Sequence, residues 1–280
     1  MTTSSVSPAM SGAVRTLIDA LAVADSPRER GGRIWLCDAA TDAVYSTDHH
    51  GNGLRAELEV PEQPSGLGWL PDGRLLVVSR RDARILRLEH DGSICVHAEL
   101  ARHVNGVVLG MVVDHVGRAW VCESGCDLRS DGPFSPARVL RVDPDGTVNV
   151  AADDLLVPHG SIVTDDAVLL VCESLGNRVT AFDIGDDGVL GDRRTWASFG
   201  PRPTGHSLDA LLGQLVATPA GCVLGADGSL WVADALHGRA LLVRDGRVVE
   251  HTGEVAPLFL LPPPIEHAVT ASTPPSGVNL

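Results

Sequence analysis

Short apolar runs of strand length alternate with turn residues along most of the chain, and the alternation itself repeats. Each copy opens on a small or proline-containing turn, passes through an apolar run, turns on Asp-Gly or a relative of it, and closes on a second apolar run. One copy occupies residues 64–78, with Pro64-Ser65-Gly66 at its start and Asp72-Gly73 at its turn. Others occupy 109–121, 158–171 and 219–232, and a degenerate first copy occupies 25–36. Two short strands rich in Val, Leu, Ile and Trp, joined by residues that accept a positive φ, predict a β-hairpin. A third strand and often a fourth follow each hairpin, as in 83–88 then 93–96, or 138–142 then 147–150.

Four short antiparallel strands make one blade, and a repeat of roughly 40 to 60 residues fits a blade array better than helical repeats. A single blade cannot cover its own apolar faces, so the copies are expected to stack around an axis as an all-β propeller. A β-sandwich is the rival, but it does not require repetition of whole four-strand units. Helices are expected to be few, at 208–215 and at 16–23, where a closing outer strand is the alternative. Five units can be counted before the chain turns proline-rich, with three consecutive prolines at 262–264 that cannot lie in a central strand. The boundaries this sets are a flexible N-terminus over 1–13, a propeller over 14–256, and a tail or remnant of the closing blade over 257–280. An incomplete closing blade would expose sheet edges, so the expected state is a monomer or a weak homo-oligomer.

Composition narrows the partners. A net charge of −14 and a pI near 5.1 argue against nucleic acid and against an anionic membrane surface. No run has the length of a membrane span, and the first residues lack a basic region followed by an apolar stretch, so the expected location is cytoplasmic. The 6 cysteines sit mostly in apolar strand-like runs and read as buried thiols. Cys122 and Cys126 have no second pair to complete a zinc set.

At the repeated hairpins the sequence resembles the gluconolactonase, regucalcin and luciferin-regenerating enzyme family, the senescence marker protein-like group. The resemblance covers about residues 20 to 250 and is most specific at 137–148, 173–183, 193–197 and 230–234. It implies a six-bladed β-propeller, whose last blade is either complete or cut short by the proline-rich end, and the hydrolysis of a sugar lactone or related cyclic ester with a divalent ion in the central channel. The family's ligands lie where the recurring phrase begins. A glutamate there corresponds to Asp25, an Asn-Asp pair to Leu109 and Gly110, an asparagine to His159, and an aspartate to Ala220. The resemblance therefore implies a site altered at several ligand positions, with one carboxylate kept.

Asp25 and His159 are accordingly the candidate catalytic residues and the candidate ligands of a zinc or calcium ion. One aspartate holds calcium poorly, and imidazole suits zinc, which commonly needs a third protein ligand. Asp114, Glu123 and Asp127 lie near the third-blade position without occupying it. Without a metal, His159 oriented by Asp25 has the makings of a general base. Both residues also have plain structural readings, His159 as channel filling and Asp25 as a turn former. Ser65, at the equivalent place in the second copy, and Arg80 and Asp127 are the candidate substrate-binding residues, and 126–135 is a candidate lid. The function expected is a lactonase-like hydrolase of a small molecule. The alternatives are a non-catalytic ligand-binding propeller and a metal-independent isomerase or cyclase of a biosynthetic pathway.

Overall fold

The structure is a computed structural model and describes residues 15–18, 21, 23–128, 134–252, 258–260 and 267–270. Five sheets of four strands follow one another along the chain, each strand paired antiparallel with its sequence neighbours. The first blade comprises Ala24–Arg30, Arg33–Asp38, Ala43–Thr47 and Arg55–Glu59. The second comprises Pro64–Trp69, Leu75–Ser79, Arg84–Leu88 and Ile94–Glu99. Val108–Val113, Ala119–Glu123, Ala137–Val142 and Val148–Leu155 form the third, and Pro158–Val163, Val168–Glu173, Arg178–Ile184 and Leu190–Ser198 the fourth. The fifth is Pro219–Leu224, Leu230–Asp234, Arg239–Arg244 and Arg247–His251.

The first strand of each blade packs against the first strands of its neighbours, in chain order from blade one to blade five. Turn residues distant in sequence thereby meet around one axis. The hairpin turns behave as their residues dictate: Gly73 has φ 95° and Gly228 φ 78°, and where the fourth copy replaces the glycine, Ala167 takes φ 58° instead.

Hydrophobic cohesion lies between blades. Leu76, Val78 and Ile85 of blade two pack with Met111, Val121 and Leu140 of blade three, and Trp120 and Val139 of blade three with Leu169, Val171 and Phe182 of blade four. Leu170 and Val179 of blade four pack with Leu230, Val232 and Leu241 of blade five. Leu17, Ile18 and Leu21 cover Ile34 and Leu36 of blade one.

Six blades were expected; among the described residues there are five four-stranded sheets and no sixth. In the sector between blade five and blade one stands a three-stranded sheet of Leu258–Leu260, His267–Thr270 and Arg15–Thr16. Arg15–Thr16 joins it in parallel, whereas a blade of the repeated kind is antiparallel throughout. The physical reason lies in the sequence: the hairpin phrase occurs five times, and after residue 251 there is no further Asp-Gly turn and no run of four strands of alternating pattern. Residues 1–13 and the three prolines at 262–264 lie outside the described residues. The expected helix near 208–215 is present as Leu208–Leu212, capped by Ser207, whose Oγ accepts from the Ala210 amide at 3.3 Å. Among the described residues no helix is long and apolar enough to cross a membrane.

Candidate active site in the central channel

Every innermost strand loses register just after it begins. The ladder breaks between Asp25 and Arg28, Pro64 and Leu67, Val108 and Gly110, Pro158 and Ser161, and Pro219 and Gly221. A bulge of this kind removes a residue from the ladder and re-aims its side chain. Repeated at the same place in five blades, it gathers positions 25, 65, 109, 159 and 220 at one end of the channel.

A glycine follows four of these positions, and at three of them it has a steric cause; at Gly221 a Cβ would meet nothing within 4 Å. A Cβ on Gly66 would lie 2.8 Å from the Met111 nitrogen, one on Gly110 2.6 Å from the His159 carbonyl oxygen, and one on Gly160 2.4 Å from the Gly221 Cα. The inner strands approach too closely for any side chain there. Blade one has Ser26 instead, and its Oγ donates to the Ser65 carbonyl at 2.7 Å.

The bulges bring Asp25 and His159 together from blades one and four. His159 Nε2 lies 3.7 Å from Asp25 Oδ2, with the two side chains 25% and 20% exposed, so both remain open to the channel. Asp25 Oδ1 is held by the Ser26 amide at 2.6 Å, which leaves Oδ2 toward the imidazole. At 3.7 Å the contact is electrostatic rather than a formed hydrogen bond.

Arg28, at which the ladder resumes after the break, lies within electrostatic reach of Asp25 and was given no role from the sequence. Its two terminal nitrogens donate to the Pro27 and Met111 carbonyls at 3.0 and 2.9 Å. Burial lowers its pKa, and the nearby Asp25 opposes that shift. The signal in sequence was an arginine three positions after the candidate aspartate, in the innermost strand. Thiols surround its base: Cys37 and Cys222 are among its electrostatic neighbours. Burial pushes the Cys122 thiol up to about 12 and Cys37 well above its ordinary value. A Cys222 contact and burial raise Cys172. Cys37, Cys122 and Cys172 are therefore held neutral, and all six cysteines are free.

The remaining candidates are placed as follows. Ser65 is buried and its Oγ donates to the Val108 carbonyl at 3.3 Å, so it ties blade two to blade three. Arg80 sits in the turn after Leu75–Ser79, its amide donating to the Gln63 carbonyl at 2.8 Å. Asp127 is exposed on the segment that follows blade three's second strand. Leu109 joins an apolar cluster with Phe134, Leu156, Val157, Leu175 and Leu211. The Phe134 amide donates to the His206 carbonyl at 3.0 Å, and Cys126, Leu128 and Phe134 pack in one apolar cluster with Leu208 and Leu211 of the helix. A separate groove of about 390 Å³, walled by Arg30, Trp35 and Trp69, opens at the far ends of the inner strands and contains none of the bulge residues.

With the channel described, its relatives can be compared. A model of the SMP-30/Gluconolactonase/LRE-like region matches residues 24–253. The chain belongs to this family. A sequence search of curated proteins finds no significant match. Among solved structures, a calcium-binding regucalcin from Agrobacterium tumefaciens superposes with a TM-score of 0.69 at 17% identity, over 88% of this chain and 79% of that one. A gluconolactonase from Xanthomonas campestris gives 0.67 at 22% identity, over 87% and 80%. A luciferin-regenerating enzyme gives 0.68 at 15% identity, over 85% and 78%. At these identities the structures establish the shared fold.

The donor set of this family member does not fit a divalent ion. Calcium takes six to eight oxygen ligands and catalytic zinc three protein ligands, whereas Leu109 and Ala220 bring no donor and only Asp25 and His159 face each other. Among the described residues no group of three or more His, Cys, Asp or Glu side chains is placed to hold a metal. The acids considered as third ligands have other work. Asp114 binds Arg118 Nε at 2.7 Å and Trp120 Nε1 at 3.3 Å. Glu123 accepts the amides of Gly106, Gly125 and Arg138 at 3.0, 2.8 and 2.9 Å.

Proposed function

We propose that the protein is a lactonase-like hydrolase that opens a small cyclic ester in the central channel without a bound metal. The observation that carries this reading is the meeting of His159 and Asp25, 3.7 Å apart and open to the channel, in a chain of the gluconolactonase-like family. His159 takes a proton from a water whose oxygen bonds to the lactone carbonyl carbon. As the ring carbon–oxygen bond breaks, the same imidazole returns that proton to the departing alkoxide. The product is a hydroxy acid, which ionises and releases one proton to solvent. Asp25 stabilises the imidazolium between the two transfers. The six unpaired cysteines support a cytoplasmic setting.

Acid release from a panel of sugar and alkyl lactones tests this. Turnover is expected to persist in chelator, and His159→Ala to lower kcat by about 100-fold, the scale of a positioned general base. Absence of turnover across the panel, or equal turnover by the variant, would sink it. The apolar Leu109 and Ala220 favour one second reading, a propeller that binds a small molecule and leaves it intact. Saturable binding of an intact lactone with no acid released would identify that case.

A further inference from the structure

Half-buried arginines elsewhere in the molecule touch an acid. Arg118 meets Asp114 at 2.7 Å, Arg178 meets Glu173 at 2.7 Å, and Arg239 meets Asp234 at 3.0 Å. Arg28 differs. Among the described residues no carboxylate lies in ion-pair contact with it, and the acid that bears on it, Asp25, acts from beyond that distance. A guanidinium has five N–H donors, and two protein carbonyls take two of them. Three donors and the charge remain, in the ring where relatives of this fold gather metal ligands.

A desolvated guanidinium does not shed its proton. It is stabilised instead by an anion, and its planar fork matches a carboxylate through two parallel hydrogen bonds. Asp25 offsets one charge at a distance, and the neighbouring thiols, Cys37 and Cys222, contribute none while protonated. His159 stands across from Asp25, 3.7 Å away, on the same channel.

We propose that Arg28 is the resident cation of the channel and forms a binding site for a small carboxylate. The choice of hydroxy acids as its ligands rests on the lactonase reading, since that is the form an opened lactone takes. The site itself is independent of turnover. Arg28 would supply, from a side chain, the positive charge that the missing donor set cannot hold as a metal ion.

Calorimetric titration of the full chain with D-gluconate and with 6-hydroxyhexanoate tests the site, with glucitol as the uncharged counterpart of gluconate. At least one acid is expected to bind saturably at millimolar concentration or tighter, glucitol not at all, and calcium or zinc chloride to leave the titration unchanged. Arg28→Met is expected to weaken binding at least tenfold and Arg28→Lys, which keeps charge and loses the fork, several-fold. Thermal melts establish that each variant is folded; if Arg28→Met is not, Arg28→Lys carries the comparison. Binding unchanged in the folded variants overturns the proposal. So does equal binding of glucitol, binding that requires added metal, or no binding of either acid. Because lactone turnover is followed separately by acid release, Arg28-dependent binding without turnover refutes only the hydrolase reading, and turnover without Arg28-dependent binding refutes only this one.

Discussion

His97 is a buried histidine, 8% exposed, with Nδ1 3.0 Å from a terminal nitrogen of Arg87. Burial first, and the Arg87 charge second, lower its pKa below the ordinary 6.5. The unfolded chain therefore binds a proton that the folded chain resists, and stability rises with pH through that window. As pH falls through about 6.5 toward the lowered folded value, wild type is expected to lose stability that His97→Gln does not lose. Urea midpoints at pH 7.5, 6.5 and 5.5 check this, and parallel curves for the two proteins would refute it. The candidate site was legible at this scale to different degrees. Asp25 and His159 stood out because they hold equivalent places in a repeated phrase, and repetition predicts shared position. Ser65 holds the equivalent place too, but its hydroxyl turns to the Val108 carbonyl, a choice set by the neighbouring backbone that no single-chain pattern reveals. Arg28 was hidden for a different reason: a charged residue near a strand end reads as solvent-facing until the strand is known to be innermost.

At the scale of the strand, the channel depends on backbones that nearly touch. An alanine at Gly160 would set its Cβ 2.4 Å from the Gly221 Cα and 2.6 Å from the Ala220 oxygen, both main-chain atoms that cannot rotate away. Gly160→Ala is expected to cost about 1–3 kcal/mol, the range of overpacking, and to reduce any activity by displacing His159. A variant of wild-type stability and activity would mean the two inner strands are farther apart than described. A second repeated device lies one strand outward. Asp38, Glu123, Glu173 and Asp234 each end the second strand of a blade, each is fully buried, and each accepts an amide from the segment leading into its own inner strand. Glu173 holds the Leu156 amide at 2.8 Å, Arg178 by two bonds at 2.7 and 3.2 Å, and the Thr180 hydroxyl. Glu173→Ala leaves the guanidinium and the amide unpaired in the interior, and is expected to cost about 3–5 kcal/mol. The urea midpoint of the variant measures it, and a loss under about 1 kcal/mol, the value of an exposed pair, would count against the clamp. These acids were visible in the sequence after four of the five second apolar runs, the second blade ending its run on Ser79. Their role was not, because a carboxylate that clamps a loop and one that holds a metal have the same local pattern.

For the molecule as a whole, the recurring hairpins announced both the blade and its radial stacking, and the number of copies in the chain equals the number of four-stranded sheets observed. The sixth blade was carried over from the family resemblance, and among the described residues no further set of four antiparallel strands answers to it. A ring of five blades in this arrangement leaves a sector between blades five and one, and Leu258–Leu260 occupies it, packed against Pro219–Leu224, Leu230–Asp234 and Ala24–Arg30. That sheet is completed in parallel by Arg15–Thr16, so the closure joins two distant parts of the chain. Sheet edges left without a neighbour are templates for pairing with other chains, and inner strands without a lateral contact lose the burial that fixes them. A truncation ending at Thr252 is therefore expected to melt lower than the full chain, to exchange amide hydrogens faster in Ala24–Arg30 and Pro219–Leu224 first, and to self-associate. The inner strands of blades two to four, flanked on both sides, should keep their protection until global unfolding. If the truncated protein melts with the full chain and exchange rises nowhere along 24–30 or 219–224, the five blades close without help, and the three-stranded sheet is an appendage rather than the closure of the ring.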